Sequence, residues 1–211
     1  MTAALNSEPR TLNPEPMLLV GIGGSPRRGG NSDLLLDEAL RGAAGRGART
    51  RKLLLCELGI APCRACDGPG EDEPCAVRDG MDAVYGAVRD ADAVILASPI
   101  YFGSLSAQMK AMIDRFQCVW LAGRRRGVRF FPGERACAFI AVSAGDRPDF
   151  FANARAIARN WSATLHARWG GELYCPGVER KGIVGERPEM LQAARELGER
   201  LVSGTNHQPK G

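Results

Sequence analysis

Apolar and polar positions alternate along the chain in two distinct periods. Met17–Ile22 is a short, continuous apolar run, which reads as a strand buried on both faces. Asn31–Ala44 follows as a helix with its leucines and alanines on one side, and Arg49–Leu55 as a second strand. Asp79–Val88 places Met81, Val84, Tyr85 and Val88 at positions i, i+3, i+4 and i+7, the spacing of one helix face. Ala93–Ala97 predicts a buried strand, and Ser106–Trp120 a helix whose Met109, Met112, Ile113, Phe116 and Trp120 share a face. Ala136–Val142 is a fourth strand, Phe151–His166 a helix, Glu172–Cys175 a shorter strand and Pro188–Leu201 the last helix. Five β/α pairs in succession predict a parallel sheet covered on both faces.

The flanks lack this pattern. Residues 1–16 are polar, carry Pro14 and Pro16, and predict a disordered tail, so that Met17 is a candidate functional start. A single domain over 17–203 and a flexible tail over 204–211 complete the organisation. A chain of 211 residues can bury roughly 70% of its unfolded surface in one core, so no disulfide scaffold is needed. Seven cysteines, an odd number, with no secretory signal and no run of transmembrane length point to a reducing, cytoplasmic setting.

The net charge of +4 raises the question of nucleic acid. Between Gly123 and Arg135, however, Arg124, Arg125, Arg126, Arg129 and Arg135 face only Glu134, so this one segment accounts for the whole excess. With 6% aromatic residues and no basic stripe elsewhere, neither a nucleic-acid platform nor a membrane surface is expected. The arginine-rich segment reads as a solvated surface loop, or as an attractor for the 2′-phosphate of NADPH or an acidic partner.

The first strand runs into Gly21-Ile22-Gly23-Gly24-Ser25-Pro26-Arg27-Arg28-Gly29-Gly30-Asn31-Ser32, which opens the first helix. Free backbone N–H groups and the helix dipole converge at such a junction and favour a phosphate. The loop itself carries no acid, two arginines, hydroxyls at Ser25 and Ser32, and an amide at Asn31 that can also cap the helix. A dinucleotide fingerprint starts correctly at Gly21 and Gly23 but meets Pro26 where a third glycine is required, although Glu57 after strand two keeps a ribose contact open. A P-loop needs Gly-Lys-Ser/Thr, which is absent. A single terminal phosphate, as in a mononucleotide, remains.

Gly24-Ser25-Pro26-Arg27, Gly30-Asn31-Ser32, Ser98-Pro99-Ile100-Tyr101-Phe102-Gly103-Ser104, and Met109-Lys110 leading to Ile113-Asp114-Arg115-Phe116 occur in this order. Together they resemble the NAD(P)H-dependent FMN reductase family over roughly residues 17–185, and within it most closely the iron-sulfur flavoproteins. The resemblance implies a flavodoxin-like five-stranded parallel sheet of order 2-1-3-4-5, with helices on both faces and FMN at the carboxyl ends of the strands. It places Ser25, Arg27, Asn31 and Ser32 at the FMN phosphate, and Pro99, Ile100, Tyr101, Phe102 and Gly103 along the isoalloxazine ring. Ser143 and Gly145, in the small-residue loop after strand four, would close the third side. NAD(P)H is the implied co-substrate, with a flavin, a quinone or another small molecule as acceptor, in a homodimer or homotetramer. No side-chain acid or base is assigned to catalysis. The alternative is an electron-transfer protein that receives electrons from ferredoxin, and a third reading is a flavodoxin-like binding module without FMN.

Iron-sulfur flavoproteins carry a compact C-x2-C-x2-C-x4-7-C motif for a [4Fe-4S] cluster. Here Cys63, Cys66 and Cys75 match its first, second and fourth cysteines, while Pro69 stands in place of the third. Three readings stay open: a cluster held by three thiolates with an outside ligand or Cys56, a zinc ion completed by Asp67 or Asp72, or a loop that has lost its metal. Cys56, Cys118, Cys137 and Cys175 read as core residues.

Overall fold

The computed structural model describes residues 15–66 and 74–204. The predicted tails, apart from residues 15, 16 and 204, lie outside the described residues, as do Asp67, Pro69 and Asp72. Strands β1 (Leu18–Gly23), β2 (Arg49–Leu54), β3 (Ala93–Tyr101), β4 (Ser104–Leu105), β5 (Ala136–Val142) and β6 (Arg168–Cys175) form one sheet of order β2-β1-β3-β5-β6. The two-residue β4 folds back antiparallel onto β3. Counting β4 shifts the numbering, but the five parallel strands stand in the expected 2-1-3-4-5 order.

Helices α1 (Asn31–Gly45) and α6 (Pro188–Ser203) cover one face, where Leu35, Leu36, Ala39, Ala194 and Leu197 pack on Leu19, Ile95 and Ile140. These two helices approach so closely that a Cβ on Gly198 would lie 1.8 Å from the Ala39 carbonyl oxygen, so only glycine fits there. Helices α2 (Met81–Asp90), α3 (Ala107–Asp114), α4 (Gln117–Arg126) and α5 (Pro148–Thr164) cover the other face, through Val84, Met109, Phe116, Val119, Ala154 and Trp161. Alternating sides in this way leaves a crevice between the carboxyl ends of β1 and β3, the switch point at which open α/β sheets bind ligands.

Several boundaries differ from the sequence pattern: β3 runs on to Tyr101 and β6 starts at Arg168 rather than Glu172. Helix α5 starts at Pro148 rather than Phe151, because proline is preorganised for the first helical position, where its missing N–H costs nothing. The single helix expected over Ser106–Trp120 breaks at Arg115–Phe116. Neither glycine nor proline causes the break. The Arg115 carbonyl instead accepts a hydrogen bond from the buried Tyr85 hydroxyl at 2.8 Å, and the Arg115 side chain leaves the helix to grip the segment before α2. Among the described residues no helix is long and apolar enough to cross a membrane.

Candidate functional site

The loop after β1 is organised internally before any ligand is considered. The buried Ser25 hydroxyl donates to the Arg27 carbonyl at 2.9 Å and accepts from the Arg27 amide at 3.1 Å, which folds the loop into a tight turn. Gly30, not Asn31, occupies the N-cap of α1. The Asn31 amide nitrogen donates to the carbonyls of Val178 and Arg180, both at 2.9 Å, so this side chain braces the segment after β6. The expected cap is therefore corrected: the Asn31 side chain has stronger partners elsewhere. The N–H groups of the first helical turn have no partner within the helix and open toward the loop.

Acids nearby are neutralised. Asp33 accepts from the Gly29 amide at 2.7 Å and pairs with Lys52, which also reaches Asp37 at 2.7 Å. Burial alone would lower the Lys52 pKa, but its hydrogen bonds to the two aspartates outweigh that and raise it. Glu57, the candidate ribose contact, pairs with Arg28 at 2.7 Å across the loop mouth. Arg27 and Arg28 are otherwise exposed.

Two hydrogen bonds through Gly24 stitch this loop to β3 and the segment after it, and a third ties that segment back to β3. The Gly24 amide donates to the Ala97 carbonyl at 2.8 Å, the Ser106 hydroxyl to the Gly24 carbonyl at 2.5 Å, and the Ser106 amide to the Ser98 hydroxyl at 3.1 Å. Ser106 also caps α3 by accepting from the Met109 amide. A Cβ on Gly24 would come within 2.8 Å of the Met109 Cβ, so the glycine allows α3 to seat directly under the loop.

Pro99–Gly103 forms the end of β3 and its turn into β4. Ile100 faces Leu105 and Tyr101 faces Ser104, leaving Phe102 and Gly103 as a two-residue connection. Both have positive φ, 49° and 74°, the signature of a type I′ turn. Phenylalanine is strained there, at about 1–2 kcal/mol, yet its ring is fully exposed. The turn is held from behind by α5, whose Asn153 donates to the Gly103 carbonyl at 2.7 Å. In the third loop Ser143 is buried, its amide bonded to the Cys175 carbonyl, while Gly145 is exposed and its carbonyl accepts from Tyr174. The residues expected at the phosphate, the ring and the third side thus sit at the carboxyl ends of β1, β3 and β5, three neighbouring strands.

A groove of about 380 Å³ runs beside the first loop, lined by Pro26, Leu55, Cys56, Gly59, Ile60, Gln108 and Ala111. A roomier one, about 880 Å³, lies away from the loops between α4, α5 and the arginine-rich segment and contains none of the expected site residues. Arg124 lies over the Trp120 ring in that segment. Arg135 departs from the expected solvated loop: it is buried and donates to the Phe131 and Pro132 carbonyls.

Behind the groove, Arg115 is completely buried and organises the cysteine segment. It donates to the Ala61 carbonyl at 3.0 Å, to Asp79 at 2.7 Å, to the Val77 carbonyl at 2.7 Å and to the Cys75 sulfur at 3.3 Å. Burial would raise the Asp79 pKa, but the Arg115 guanidinium and the Met81 and Ala61 amides outweigh it and hold the carboxyl below its ordinary value. Cys118, on the first turn of α4, is buried with its sulfur 4.0 Å from the Cys66 carbonyl oxygen. Burial, then the neighbouring Cys66, Cys75 and Cys63, push its thiol up to about 12. Nothing in the spacing marked Cys118 as a neighbour of the loop cysteines, because fifty-two residues separate it from Cys66. Cys56 is exposed, not a core residue, since the chain turns out of β2 just before it. Among the described residues no three His, Cys, Asp or Glu side chains stand at the spacing of a single bound metal ion.

The profile of the family described as NADPH-dependent FMN reductase matches residues 17–167, well over half of the chain. The chain belongs to this family. It is 39% identical over 99 residues to an iron-sulfur flavoprotein of Methanosarcina thermophila, covering 47% of this chain and 52% of that one. It is 37% identical over 130 residues to one of Archaeoglobus fulgidus, covering 62% and 63%. The match thus spans about half the length of most of these relatives. Among solved structures, a flavone reductase superposes with a TM-score of 0.70 at 18% identity, covering 89% of this chain and 62% of that one. The NAD(P)H:quinone oxidoreductase from Methanothermobacter marburgensis superposes with a TM-score of 0.66 at 16% identity, covering 92% and 100%. At such identities the superpositions establish the flavodoxin-like fold, while the profile match establishes the flavin oxidoreductase family.

Proposed function

We propose that the chain binds FMN and acts as an oxidoreductase that draws a hydride from NAD(P)H and passes electrons to a flavin, a quinone or another small acceptor. The observation that carries this reading is the stitching of the β1 and β3 loops through Gly24, Ser98 and Ser106 at the switch point of the sheet. It fixes a phosphate-seeking loop and an aromatic turn in one rigid arrangement, which preorganises both ends of a flavin mononucleotide site. FMN, when bound, supplies the hydride-accepting chemistry.

In this reading Ser25, Arg27 and Ser32 hold the phosphate with the amides of the first turn of α1, and Asn31 contributes its amide while its side chain braces the loop. Pro99, Ile100, Tyr101, Phe102 and Gly103 border the ring, and Ser143 and Gly145 close the third side. The exposed Tyr101 and Phe102 offer flat apolar surface for a nicotinamide, an acceptor or a second subunit of a homo-oligomer. An odd count of seven cysteines suits a reducing cytoplasm. The test is anaerobic mixing of the FMN-loaded protein with NADPH and with NADH. Rapid bleaching of the flavin absorbance supports the reductase, and a chain that takes up no FMN overturns it.

The cysteine arrangement around Arg115 favours a second reading, an iron-sulfur flavoprotein that receives electrons from ferredoxin. Bleaching with reduced ferredoxin and not with either nicotinamide would select it.

A further inference from the structure

We propose that Cys118 supplies the fourth thiolate of an iron-sulfur site whose other ligands are Cys63, Cys66 and Cys75, replacing the cysteine that the loop lacks at Pro69. The inference rests on the cluster reading and is independent of FMN.

Four of the seven cysteines gather at one place. The Cys118 sulfur lies 4.0 Å from the Cys66 carbonyl oxygen, Arg115 three residues before it reaches the Cys75 sulfur, and the Cys63 sulfur accepts from the Ala65 amide next to Cys66. The other three are engaged elsewhere. Cys56 is exposed and lines the groove beside Pro26, Cys137 lies in β5 with Ser162 and Arg135 as its polar neighbours, and Cys175 ends β6. Among the described residues, Cys118 is the remaining cysteine that meets the loop.

The surroundings suit thiolates. Arg115 donates to the Cys75 sulfur at 3.3 Å and the Ala65 amide to the Cys63 sulfur at 3.4 Å, the kind of hydrogen bond that tunes cluster sulfurs. The break at Arg115–Phe116 restarts the helix at Gln117, so Cys118 sits in the first turn of α4, where the helix dipole favours an anionic sulfur. Helix α3 joins this site to the flavin loops: eight residues, about 12 Å, run from the Ser106 contact with Gly24 to Arg115.

The test loads the full chain anaerobically with iron and sulfide under dithiothreitol, with FMN supplied in parallel. Wild type is expected to hold about four irons and four sulfides per chain and to give a paramagnetic signal on dithionite reduction. Cys118→Ala should lose that signal and at least one iron, whereas Cys56→Ser and Cys137→Ala should load like wild type. Far-ultraviolet circular dichroism and the melting temperature check folding, and the nearly isosteric Cys118→Ser repeats the test if the alanine variant does not fold. Full loading of both Cys118 variants overturns the proposal. So does loss of the cluster in Cys56→Ser, uptake of one zinc without sulfide, or a wild type that takes up no iron. FMN uptake without a cluster sinks this inference alone, and a cluster without FMN sinks only the reductase.

Discussion

Arg115 is a guanidinium with no exposed surface, and such a charge is tolerable only when every donor is matched. Its partners come from both sides of the cysteine segment, so one side chain on the helical face ties Ala61, Cys75, Val77 and Asp79 together. Removing its one carboxylate leaves the charge buried without a counter-ion. Asp79→Asn should therefore cost about 3–5 kcal/mol in urea denaturation, and a loss below about 1 kcal/mol would refute this role for the pair. The pH dependence follows from the lowered Asp79 pKa. A carboxyl depressed on folding contributes its full stability above the unfolded-state value, about 4, and loses it as pH falls through the folded value. Wild type should accordingly lose this contribution below about pH 4, and the Asn variant should lack that component of the acid limb.

At the scale of elements, the turn between β3 and β4 combines strain with exposure. A type I′ turn favours Asn-Gly, and here Phe102 takes the first position against its backbone preference. Strain retained in an exposed aromatic points to a ring that is needed where it stands. Phe102→Asn should stabilise the fold by about 1 kcal/mol while weakening FMN binding or turnover, read by thermal melting and flavin titration. A variant that is more stable and equally active would show the ring to be idle. The same region shows what a sequence can and cannot reveal. Periodicity found the buried strands and most helices, because a residue such as Val84 or Leu35 meets its core neighbours through spacing alone. It missed the break at Arg115, since that depends on a hydroxyl from Tyr85, thirty residues away. It also assigned Cys118 to the core, correctly as to burial, without access to the thiols across from it.

For the whole molecule, the order of the strands brings together what the chain keeps apart. The loops at Ser25, Phe102 and Ser143 span well over a hundred residues, yet they neighbour one another because β1, β3 and β5 are adjacent in the sheet. A ligand bridging three loops that the unfolded chain separates binds the native state alone, and its binding free energy adds to the stability of the fold. At a free FMN concentration a hundredfold above its dissociation constant, that contribution is about 2.7 kcal/mol. In a domain of this size each kcal/mol moves the melting temperature by about 2–4 °C, so FMN should raise it by about 5–11 °C. Riboflavin shares the ring but lacks the phosphate that Ser25, Arg27 and Ser32 are proposed to hold, and it should give a clearly smaller shift at equal concentration. Equal shifts for the two would show that the loop after β1 does not bind the phosphate, and no shift for either would remove the flavin from the crevice altogether.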